Sequence, residues 1–123
     1  MKNKIYVAYS NKNFKIGETT TSIAQRFAVI KHNTNEKLNL LSVIEFDCDE
    51  SLAKSMRLAI ESQMRLDLVI QGYEHKGNDH FIKKGYKAMF NLICQQSAVK
   101  VLSQYSEHIK QYNITNYWKE SDL

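Results

Sequence analysis

Between Lys4 and Gly17 the chain alternates twice. Ile5, Val7 and Tyr9 fall on one face of an extended run, and Tyr6, Ala8 and Ser10 on the other. After the polar turn Asn11-Lys12-Asn13, a second run, Phe14-Lys15-Ile16-Gly17, follows. Two short runs joined by an Asn-containing loop predict a β-hairpin. One face of the first run must be core, which leaves one of its two tyrosines near a more polar surface. The period then changes. Glu18 to Ser22 offers several N-caps, Ser22 with Gln25 fits a capping box, and Ile23, Phe27 and Ile30 recur at helical spacing through about His32. Arg26 sits at the margin of that stripe, and His32 falls on the far side as a helix-end surface residue.

Asn33-Thr34-Asn35 ends the helix, and Lys37 to Phe46 reads as a third strand. Asp47 to Ser51 places acidic residues at the positive end of a second helix. Leu52, Ala53, Met56, Ile60, Met64 and Leu68 form its core stripe, with Arg57 and Glu61 together on one margin. Gln71 to His80 is a polar loop with two glycines, and Phe81-Ile82 is either a short edge strand or an anchor. Tyr86 to Cys94 predicts a third helix with Ala88, Met89, Leu92 and Ile93 inward. Ser97 to about Tyr112 predicts a fourth, built on Val99, Val101, Leu102, Tyr105 and Ile109. The expected fold is α+β: a small antiparallel sheet of about three strands flanked by helices. The expected division is residues 1–95, with a helical extension over 96–123 packed on the same domain.

Composition narrows the class. A chain of 123 residues, 43% hydrophobic and 24% charged, is long enough for one core and too apolar to be disordered. A formal charge of +4 is compatible with a polyanionic partner without demanding one. Cys48 and Cys94 are two distant thiols, which favours reduced, inert cysteines over a disulfide. No apolar run approaches the roughly 20 residues of a membrane span, and Met1 to Ile5 lacks a signal-peptide core, so a cytoplasmic protein is expected.

The stretch Lys4-Ile5-Tyr6, then Lys15-Ile16-Gly17, then Arg26 on a helix resembles the GIY-YIG nuclease superfamily. The likeness is to its phage-type branch, whose second motif reads Lys-Ile-Gly. The order of strand, strand, Arg-bearing helix, strand and Glu-bearing helix extends the likeness over roughly residues 3–93. The resemblance implies a Mg2+- or Mn2+-dependent cut of a DNA phosphodiester. Tyr6 would activate or orient water, Arg26 would hold the phosphate, Lys15 would add a phosphate contact, and Glu61 would bind the ion. Such roles suit the chemistry, because a hard cation acidifies water and a guanidinium matches phosphate oxygens.

The glutamate register stays open. Laying the branch's Ala-x-x-Leu-Glu pattern on Ala53 and Met56 puts Arg57 in the ligand slot, which implies a relocated or lost metal ligand; sliding it by one turn gives Ile60-Glu61, with Arg65 where a histidine is expected. Gly77-Asn78-Asp79-His80-Phe81 echoes the family's closing motif, with Asn78 near the phosphate or in a turn and Phe81 as an anchor. His75, Asp79 and His80 form a loose cluster without the paired cysteines of a zinc site. Arg57, Lys83 and Lys84, with the lysines and the Tyr/Trp residues beyond them, are candidate DNA contacts or plain surface. Two other readings remain: a nuclease-like fold that only binds DNA, and a phage protein that binds a host protein through its C-terminal region. A homodimer would let one small site per chain cut both strands.

Overall fold

The computed structural model describes residues 1–77 and 79–117. The chain runs β1 (Asn3–Tyr9), β2 (Asn13–Thr19), α1 (Ile23–Thr34), β3 (Asn39–Cys48), α2 (Glu50–Ile70), β4 (His75–Gly77), β5 (His80–Ile82), α3 (Lys87–Gln104) and β6 (Ile109–Asn116). A short 3-10 turn, Ser106–His108, precedes β6. The strands form one antiparallel sheet in the order β4-β5-β2-β1-β3-β6. β1 lies inside it and is covered on both faces, so its two alternating sets build two cores. Ile5 and Val7 join Phe14, Ile16, Ile44 and Phe46 under α2 and α3. Tyr6 and Ala8 join Ile30 and Leu38 under α1. No helix among the described residues is long and apolar enough to cross a membrane.

The class is α+β, but the expectation of about three strands is corrected: the sheet has six. The two short strands β4 and β5 hold only three residues each, and β4 is wholly exposed, so neither carries a hydrophobic period. The fourth helix is also corrected. α3 runs unbroken across the expected boundary at residues 95 and 96, and Ile109–Asn116 is a strand paired with β3, Phe46 opposite Tyr112 and Ile44 opposite Ile114. Tyr105, Ile109 and Tyr112 happen to fit helical spacing, whereas the strand's own signal is only Tyr112 and Ile114 on one side.

The inward face of α3 is shifted as well. Ile93 is buried as expected, but Met89 and Leu92 are exposed, and the rest of the stripe is Phe90, Cys94, Ala98, Val101 and Leu102 with Asn91 and Ser97 buried among them. Those polar residues masked the stripe in the sequence, yet each is satisfied. Ser42 donates its hydroxyl to Asn91 at 2.6 Å, and Ser97 donates to Asp67 at 2.7 Å. Phe90 stacks on Phe14 with centroids 4.2 Å apart, which fixes α3 against β2. Cys48 and Cys94 are unbonded and buried.

Candidate active site

Tyr6 points from β1 to the α1 side of the sheet, fully buried, and its strand partner is Gly17. A Cβ at position 17 would stand 2.2 Å from both Cζ and Oη of Tyr6. The glycine is therefore the space in which the phenol lies, which is a stronger requirement than backbone freedom. Phe27 of α1 meets the Tyr6 ring edge-on at 5.2 Å and holds its plane. The capping box of Ser22 and Gln25 starts α1 as expected, with Ser22 Oγ accepting from Gln25 N at 3.1 Å. One residue later comes Arg26.

Tyr6 Oη and Arg26 Nε are both buried with no hydrogen-bond partner among the described residues. Burial pushes the Tyr6 phenol up from its ordinary value, and the Arg26 guanidinium beside it pulls the other way. Two buried polar groups that have at most each other for a partner are costly in a fold, and sites of that kind are where ligands bind.

These groups line a cavity of about 390 Å³ with Lys15, Gly17, Glu18, Glu36, Glu61, Asp79 and His80. Lys15 follows from strand alternation: one residue before Ile16, it faces the Tyr6 side, with its Nζ 5.9 Å from the Tyr6 ring centre. Burial lowers the Lys15 pKa, opposed by the charge of Asp79. The pairing of β5 with β2 ends at His80 opposite Lys15, and Ile16 N then donates to Asp79 O at 3.1 Å. At this edge α2 delivers Glu61, whose side chain is 11% exposed.

Glu61 is pushed up to about 7 by burial and by a hydrogen bond to the Asp79 carboxylate. Burial alone would raise Asp79 too, but hydrogen bonds from Arg65 and Glu61 bring it below its ordinary value. Arg65 Nε lies 2.8 Å from Asp79 Oδ1, and its Nη2 lies 3.6 Å from Glu61 Oε1. On the opposite wall His80 Nε2 sits 2.8 and 3.1 Å from the two oxygens of Glu36.

The fold thus brings together four of the sequence candidates: Tyr6, Lys15, Arg26 and Glu61. Arg57 goes elsewhere. It pairs with Glu18 at 2.6 Å and donates to Asn3, so it ties α2 to one end of the β1–β2 pair and lines a neighbouring open groove of about 720 Å³ with Arg26. Its side chain is 12% exposed, so Arg57→Ala leaves Glu18 poorly compensated and should cost about 2 kcal/mol, read as a lower urea midpoint.

Lys83 and Lys84 do not line the cavity: Lys83 donates to Ser10 O and lies over Tyr9, and Lys84 lies over Tyr73. Asn78 and Trp118 are outside the described residues. His32 is exposed at the end of α1, as expected. Of the loose His75, Asp79 and His80 cluster, His75 is 3.9 Å from Asp79 while His80 turns to Glu36. Glu36 and the Arg65 bridge were not legible: Glu36 lies in a polar loop, and only the fold sets it against His80. A position beside a core residue was the one available signal for Glu61, next to Ile60 on α2.

Whether this set suits a divalent cation turns on its donors. Among the described residues no group of three or more His, Cys, Asp or Glu side chains is arranged to hold a metal. A magnesium-like ion asks for less: it keeps most of its waters and takes one or two carboxylates together with substrate phosphate. A buried carboxyl beside a second one, with the Tyr6 hydroxyl in the same cavity, fits that need. No protein-family model, curated protein or solved structure matches the chain.

Proposed function

We propose that this chain is a GIY-YIG-like endonuclease that hydrolyses DNA phosphodiester bonds with a Mg2+ or Mn2+ ion. The observation that carries this reading is the convergence of Tyr6, Arg26 and Glu61 on one cavity, with Tyr6 Oη and Arg26 Nε buried and unpartnered. Glu61 would hold the ion, which supplies charge neutralisation at the phosphate and a more acidic water. Arg26 offers its guanidinium to the phosphate oxygens, which replace the partner its Nε lacks. Tyr6, held by Gly17 below and Phe27 at its edge, orients water from a fixed phenol oxygen. Lys15, whose ammonium burial destabilises and the charges of Asp79, Glu36 and Glu61 support, would add a phosphate contact. The groove shared by Arg26 and Arg57 continues from the cavity and provides room for the flanking backbone.

Tyr6→Phe tests the phenol. Removing an unpartnered buried hydroxyl should leave stability unchanged or raise it by up to about 1 kcal/mol. Cleavage should fall by roughly 10²-fold or more. Thermal melts and plasmid nicking on the same sample separate the two. A variant that cuts as well as wild type removes Tyr6 from the chemistry.

One observation favours a second reading, a DNA-binding module that does not cut. Arg65 already answers both carboxyls of the site, Asp79 closely and Glu61 loosely. That reading predicts salt-dependent DNA binding, through counterion release, with no cleavage in any divalent ion.

A further inference from the structure

Resting on the proposed metal-dependent reading, we infer that Asp79 is a second carboxylate ligand of the divalent ion, acting with Glu61 across the edge of β2. Asp79 reaches the cavity from a segment with no helix to hold it, and a backbone hydrogen bond and its local conformation set it there. Its carbonyl accepts from Ile16 N at 3.1 Å, and its backbone adopts φ +56°, a left-handed conformation that aspartate tolerates better than most residues. The result sets its carboxyl on the cavity that Glu61 also lines, with Arg65 reaching both.

Two neighbouring carboxyls are an unusual choice for a purely structural pair, because each is better served by a cation. Arg65 lies close to Asp79, at 2.8 Å, and farther from Glu61, at 3.6 Å, and Lys15 adds its charge from the same cavity. The second observation is independent of the acids: the Tyr6 hydroxyl, completely buried, lines the same cavity with no partner at good hydrogen-bond geometry and only the Arg26 guanidinium beside it. A divalent ion held by both carboxylates would supply bound water in the cavity that the Tyr6 hydroxyl lines.

Mn2+ binding to the folded, DNA-free protein, followed by the loss of the free-ion electron paramagnetic resonance signal, tests this without any reading of activity. Wild type should take up Mn2+, and Asp79→Asn and Glu61→Gln should each weaken binding by about tenfold or more. Asp79→Gly serves as a second removal, since glycine suits the left-handed backbone at this position. Arg65→Met distinguishes ligand from anchor. If Asp79 binds the ion, removing the competing guanidinium should tighten Mn2+ several-fold. If Asp79 only anchors Arg65, Arg65→Met should weaken binding as Asp79→Asn does, and the inference is overturned.

Wild-type Mn2+ affinity in both Asp79 variants also overturns it, as does a wild type that takes up no Mn2+ at millimolar concentration. Nicking of DNA by an Asp79→Asn protein of unchanged Mn2+ affinity would remove Asp79 and leave the nuclease standing. Uptake of Mn2+ through both carboxylates without cleavage would uphold Asp79 and remove the nuclease.

Discussion

Replacing Glu61 by glutamine should abolish metal-dependent nicking and, in EDTA, make the protein more stable at pH 8. The two effects share a cause. A metal ligand contributes several kcal/mol to transition-state charge neutralisation, so its loss should cost roughly 10³-fold or more in rate. The same carboxyl is a burden on the metal-free fold, because burial and Asp79 push it from 4.5 up to about 7. Below pH 4.5 Glu61 is protonated in both folded and unfolded chains and costs nothing. Between about 4.5 and 7 the unfolded chain ionises while the folded one resists, and stability falls as pH rises. Above that window the deficit is complete, up to about 3 kcal/mol. Glutamine removes it and still donates to Asp79. The melting temperature of Glu61→Gln should therefore exceed that of wild type at pH 8 and converge with it near pH 4.5. A variant equally destabilised at both pH values would make Glu61 a structural residue.

Gly17→Ala should be among the most damaging small substitutions in the chain. The new methyl would start 2.2 Å from Tyr6 Cζ and Oη, and strand pairing with β1 leaves the backbone little room to withdraw. The ring cannot swing aside freely, since Phe27 stands at its edge and the position is fully buried. Overpacking of this kind costs about 3 kcal/mol. Activity should fall by roughly 10²-fold or more as the phenol is displaced, comparable to losing it. A double-mutant cycle with Tyr6→Ala separates the two losses. In the Tyr6→Ala background Gly17→Ala should cost far less stability, while activity should stay absent. Equal destabilisation in both backgrounds would mean that the glycine is needed for its backbone and not for the ring.

The legible parts of the site are those written in short-range pattern. Tyr6 and Lys15 face the cavity because alternation in β1 and β2 puts them on the side away from Ile5, Val7, Phe14 and Ile16. Arg26 follows from the capping box, which fixes where α1 begins. Glu61 was ambiguous for a physical reason: Arg57 sits one turn earlier on the same margin of α2, and helical periodicity cannot choose between them. The fold chooses by length and partner, as Glu18 of β2 takes Arg57 and Asp79 meets Glu61.

Asp79 and Glu36 come from loops, where no period exists to read, and the partners that fix them, Arg65 and His80, are 14 and 44 residues away in sequence. β6 was lost to a helix reading because the chain between Gln104 and Ile109 has neither proline nor glycine to mark the change. Its pairing with β3 is a non-local contact that outweighs local spacing.

The most direct test of the nuclease reading is incubation of supercoiled plasmid with wild-type protein in Mg2+, in Mn2+ and in EDTA. Conversion to the nicked form in either metal, and none in EDTA, is the result predicted here. Intact plasmid in all three, from protein shown by its melting curve to be folded, would contradict it and leave a DNA-binding or protein-binding module in its place.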